Sequence, residues 1–100
     1  MSKEENAQRI ALIEQNLHSL TAQKQQYQAQ LFEIEAALKE LQTAPTAYKI
    51  VGGIMMGANK EELSKELQNR KEMFELRIQT LEKQEKQLQE KSKKLHEESK

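Results

Sequence analysis

The chain has 100 residues and a formal net charge of zero, with no Cys, no Trp, one Pro and three Gly. Ala, Glu, Lys, Leu and Arg supply 53 of those residues, the composition of coiled coils and long helices. Hydrophobic residues reach only 36%, below the roughly 45–50% of an ordinary globular domain, so the chain cannot wrap itself around a deep core.

Composition also removes several function classes. Without Cys there is no disulfide framework and no thiolate metal site. Zero net charge argues against nucleic-acid binding, which normally needs a basic excess. The opening Met-Ser-Lys-Glu-Glu-Asn has no apolar signal core. The longest weakly polar run, Ile50 to Ala58, is too short to span a bilayer. A cytoplasmic protein without membrane association is expected.

A first helix is expected over 2–43. Ser2 and Glu5 fit a capping box, in which each side chain satisfies a free N–H of the first turn. From Ile10 the apolar positions alternate in steps of three and four through Ile13, Leu17, Leu20, Lys24, Tyr27, Leu31, Ile34, Leu38 and Leu41. Lys24 is the one charged residue in this stripe, and the pattern is that of a coiled-coil seam. Pro45 disfavours helical geometry in the residue before it, which places the helix end near Gln42 or Thr43.

The insert, 44–58, holds all the punctuation: Pro45, Gly52, Gly53 and Gly57. Tyr48, Ile50 and Val51 precede the Gly52-Gly53 pair, and Ile54, Met55 and Met56 follow it. That is the pattern of a two-residue β-hairpin turn, with Val51 opposite Ile54 and Ile50 opposite Met55. A lone two-stranded hairpin is marginal in water, and its free edges invite another chain. The insert therefore predicts oligomerisation, with several hairpins joined into a larger sheet or barrel.

A second helix is expected over 59–98, starting at Asn59 as N-cap with Glu61 and Glu62 in the first turn. Its stripe is thinner. Leu67, Phe74, Leu81, Leu88 and Leu95 recur every seven residues, and their companion positions are mostly polar. Folded back, the two stripes meet in an antiparallel register in which partner numbers add to 105, pairing Ile10 with Leu95, Leu17 with Leu88 and Lys24 with Leu81. The fold class read from these elements is mostly α. It is an antiparallel two-helix coiled coil carrying a β-hairpin that joins others in an oligomeric sheet or barrel, which the resemblance below makes a β-barrel platform.

The long amphipathic helix, the Tyr-Lys-Ile-Val-Gly-Gly-Ile-Met-Met hairpin and the later Leu-Arg-Ile-Gln-Thr-Leu-Glu-Lys-Gln-Glu segment resemble a β-type prefoldin subunit, most like the archaeal ones. The likeness covers essentially the whole chain. Gly53 stands where the family usually has Asn, and Ala47 where it usually has Val. The resemblance implies a hetero-hexamer of two α-type and four β-type subunits, with hairpins forming a double β-barrel from which the coiled coils hang. It implies an ATP-independent chaperone, without cofactor, that holds unfolded client proteins at the coiled-coil tips and delivers them to a group II chaperonin.

The residues near the open end suit such a role. In the expected register Ile13 faces Ser92 and Leu20 faces Glu85, so both should be poorly covered, while Leu12 lies off the seam. The candidate client-binding tip is therefore Ile10, Leu12, Ile13, Leu17, Leu20, Leu88 and Leu95. Half-filled layers are equally the mark of frayed ends. Lys24 is read as a register-setting residue whose stem packs while its ammonium reaches water. His18 and His96 read as solvated surface residues with no partner at metal-binding spacing. Phe32, Leu63, Met73 and Leu76, off the seam near the insert, are expected to meet the barrel or a neighbouring subunit. Ser92 and His96 could meet one turn apart, but nothing orients the imidazole, and no enzyme is expected. The competing reading is a structural adaptor coiled coil with a flexible loop at 44–58 and no client binding. It explains the heptads but gives no reason for Tyr, Ile, Val and a glycine pair in the loop.

Overall fold

The computed structural model describes residues 2–99. In chain order it contains α1 (Lys3–Thr43), β1 (Ala47–Val51), β2 (Ile54–Ala58) and α2 (Lys60–Glu98). This is the mostly helical, helix–hairpin–helix fold expected from the periodicity.

Each helix starts where a side chain can take its free amides. Ser2 Oγ accepts the Glu5 N–H at 3.1 Å. Asn59 Oδ1 accepts the N–H groups of Glu61 and Glu62 at 2.9 and 3.2 Å. Acidic residues follow both caps, as the positive end of a helix favours. α1 stops at Thr43, two residues before Pro45, and the Ala44 carbonyl beyond it accepts the Lys60 ammonium.

The chain divides into two compact units, one of Met1–Tyr27 with Arg77–Lys100 and the other of Gln28–Leu76. In the first, the start of α1 lies against the end of α2. Ile10, Ile13 and Leu95 form a buried cluster, with Leu17 and Leu88 packed against it. Ile78 and Leu81 are also buried. Asn6 Nδ2 donates to Ser99 Oγ at 3.1 Å, which carries the antiparallel register one layer beyond Ile10. Arg77 stacks over the Tyr27 ring at 5.6 Å from its centroid, beside the expected Tyr27–Ile78 layer.

One expectation about this unit needs correction. Ile13, expected to be poorly covered opposite Ser92, is only 6% exposed. Ser92 is short, and the Ile10 and Leu95 side chains of the adjoining layer enclose the isoleucine instead. Burial of such a side chain stabilises by about 1.5–3 kcal/mol. Leu20, expected to be poorly covered opposite Glu85, is half-buried, and Glu85 is itself buried.

In the second unit β1 and β2 pair antiparallel, with Val51 opposite Ile54, Ile50 opposite Met55 and Tyr48 opposite Gly57. Gly52 and Gly53 close the turn at φ of 55° and 82°. Both values lie in the left-handed region that glycine enters at little cost, and a two-residue turn with two such angles matches the twist of the strands. None of residues 28–76 is buried. Every buried residue described lies in the first unit.

Candidate functional site

Side chains alternate across a strand, and directly paired residues share a face. Tyr48, Ile50 and Met55 therefore occupy one face of the hairpin, and Val51, Ile54 and Met56 the other. All six are exposed, from 49% at Met56 to 72% at Ile50. An ordinary amphipathic hairpin hides one apolar face on its own helices. Here both faces carry uncovered apolar side chains, with Lys49 beside Met56 on one of them, and each strand of the two-stranded sheet has an outer edge. Phe32 and Leu76 are likewise strongly exposed, Met73 is exposed, and Leu63 is half-buried.

The helix-end residues separate into three groups. Ile10, Ile13 and Leu95 are buried in the cluster. Leu17, Leu20 and Leu88 are half-buried, with Leu20 and Leu88 forming the apolar part of a shallow groove whose sides are Asn16, Ser19, Gln84 and Gln87. Leu12 alone among the seven is fully on the surface, at 60%. The last layer, Asn6 with Ser99, encloses the Asn6 amide oxygen, which has no hydrogen-bond partner among the described residues. Leaving such a group buried and unpaired costs about 1–3 kcal/mol.

Farther along the same unit, α1 and α2 share a polar cluster within the seam. Lys24 Nζ lies 2.7 Å from Glu85 Oε1, and Thr21 Oγ1 donates to Glu85 Oε2 at 2.8 Å. The hydrogen bond from Lys24, then that from Thr21, holds the Glu85 carboxyl below its ordinary range, against the opposing effect of burial. The hydrogen bond to Glu85 raises Lys24, burial opposes it, and the charges of Glu85 and Glu82 add to the rise.

Sequence periodicity singles out Lys24 but misses the cluster around it, since Lys24 and Thr21 of α1 meet Glu85 of α2 only through the tertiary register. Asn6 is within reach of the pattern, because one further step of four back from Ile10 lands on it.

This architecture defines a class: two long helices joined by a strand pair whose apolar side chains are uncovered. The comparisons with known proteins give the particular family. The profile of the family described as Prefoldin subunit matches residues 4–100. The chain is 40% identical over 93 residues to the prefoldin subunit beta of Pyrobaculum islandicum, covering 90% of this chain and 74% of that protein. It is 41% identical over 81 residues to that of Archaeoglobus fulgidus, covering 78% and 70%. The crystal structure of the prefoldin beta subunit from Thermococcus strain KS-1 matches with a TM-score of 0.92 at 32% identity, over 97% of this chain and 88% of that one. The chain belongs to the prefoldin subunit family, and to its β type. Prefoldin subunits are chaperones that assemble with other prefoldin subunits. No helix among the described residues is long and apolar enough to cross a membrane.

Proposed function

We propose that the chain acts as the β-type subunit of a cytoplasmic, ATP-independent holdase, a hetero-hexamer with an α-type subunit and further β-type copies. Its helix ends hold unfolded client proteins and deliver them to a group II chaperonin. The observation that carries the assembly half of this reading is the hairpin with apolar side chains exposed on both faces, within a stretch of 49 residues, 28–76, that buries none of them. A chain folded to work alone has no use for such a surface, which in water favours association. The adaptor alternative expects a loop at 44–58, and the strand pair there counts against it.

For client binding, Leu12 and the half-buried Leu17, Leu20 and Leu88 offer apolar area while the helix ends are closed. Ile10, Ile13 and Leu95 join them only when the end opens. The unpaired Asn6 oxygen favours opening at that layer, because water satisfies it there. Several weak contacts on several subunits add through multivalency.

The test is light scattering from a chemically denatured enzyme diluted into buffer with the assembled complex and no nucleotide. Suppressed aggregation is expected, and trimming residues 1–12 and 90–100 should abolish it while the assembly keeps its subunit stoichiometry. A trimmed complex that protects as well as the intact one would remove the helix ends from the mechanism.

A further inference from the structure

Within residues 28–76, one side of the paired helices is an open groove of about 820 Å³. Its floor is Leu38 and Leu41 of α1, both half-buried. In the register of the seam Leu41 faces the short, polar Ser64, and Lys71 lines the groove two turns farther along α2. The walls carry four lysines, Lys39, Lys60, Lys65 and Lys71, against two acids, Glu35 and Glu61. Lys60 is engaged by the Ala44 carbonyl. Lys39, Lys65 and Lys71 have no ion pair among the described residues. In a chain of zero net charge, that gives the groove wall a local excess of cations. Phe32, 73% exposed, stands seven residues before Lys39, which puts it on the same face of α1 two turns away.

We propose that this groove docks an acidic helical segment of a partner protein, with an aliphatic side chain seated on Leu38 and Leu41 and carboxylates facing Lys39, Lys65 and Lys71. The chemistry of the occupant follows from the unpaired cations. A basic segment would be repelled, and a purely apolar one would leave the lysines uncompensated. Exposed ion pairs are individually weak, so the leucine floor and Phe32 supply the area, while the lysines supply orientation and association rate. This is the helix-in-groove mode of recognition, with charge selecting the partner. It does not depend on client binding at the helix ends.

The experiment uses the full chain in its assembled form and a fluorescein-labelled synthetic helical peptide of Glu and Ala with two Leu one turn apart. Its counterpart has every Glu replaced by Lys. Fluorescence anisotropy should give saturable binding of the acidic peptide that weakens at least about tenfold in the Lys39→Glu/Lys65→Glu double variant. Added salt should weaken it too, and the basic peptide should not bind. Both positions are on the helix surface, so circular dichroism and aggregation suppression should match the parent protein. The proposal is overturned if the double variant binds the acidic peptide unchanged, or if the basic peptide binds as well. It is equally overturned if the double variant abolishes an association between copies of this chain, which would make a second copy the occupant.

Discussion

The Lys24 ammonium and the Glu85 carboxylate meet at 2.7 Å inside the seam, where the heptad pattern calls for two apolar side chains. Thr21 completes the pair by donating to the other carboxylate oxygen. Both oxygens are thus satisfied, which is the condition under which a charge can be buried between helices at tolerable cost.

The pair makes stability depend on pH in a defined direction. The folded Glu85 carboxyl lies below its ordinary value of 4.5, so its contribution is present above that value and lost as pH falls through the lowered one. The folded Lys24 lies above its ordinary 10.5, so its contribution holds below that value and fades as pH rises through the raised one. Thermal melts between pH 7 and about pH 3 should show a smaller loss of Tm for Glu85→Gln than for the parent chain. Equal slopes would mean that the pair contributes nothing.

Burial and the proposed client capture should separate at neighbouring positions. Ile13→Ala empties a site in the buried cluster and should cost about 2–5 kcal/mol in urea unfolding. Leu12→Ala, on the surface, should change stability by no more than about 0.5 kcal/mol while weakening aggregation suppression.

The buried Asn6 oxygen gives a prediction of the opposite sign. Asn6→Leu removes the unpaired amide oxygen at a core position of the stripe but also the hydrogen bond to Ser99 Oγ, so it should stabilise the helix ends by a net of about 1 kcal/mol. If opening of that layer exposes Ile10, Ile13 and Leu95 to clients, the same variant should hold them less well. Slower amide exchange near residues 6–13 would accompany the change.

The turn glycines set the geometry of the hairpin through which we propose the chain assembles. A Cβ added at Gly52 or at Gly53 would meet no atom within 4 Å, so space does not forbid a side chain; the positive φ does. Ala at either site should cost about 1–2 kcal/mol in the hairpin and lower the assembled fraction seen by native mass spectrometry. Gly53→Asn should be milder, because Asn tolerates the left-handed region better than other residues.

Much of the fold is legible in the sequence because it rests on local rules. Heptad spacing, Asn59 as a cap, Pro45 as a stop and the glycine pair each act within a few residues, and the hairpin register follows from the turn alone. The coverage of individual seam residues is not legible. Ile13 is buried because Ile10 and Leu95 close around it, a consequence of how neighbouring layers fill, whereas pairwise matching sets it against Ser92. The burial of Glu85 is not legible either, because its partners, Thr21 and Lys24, lie on the other helix. The candidate helix-end surface shifts accordingly, towards Leu12, Leu17, Leu20 and Leu88 in the closed form.

The most direct test is the native mass of the purified chain at low micromolar concentration, with and without an α-type partner, combined with hydrogen exchange over 47–58. An assembly of several subunits whose strand amides are protected is the expected result. A folded monomer with those same amides protected would contradict it, because the hairpin would then stand without the neighbours that its uncovered faces require.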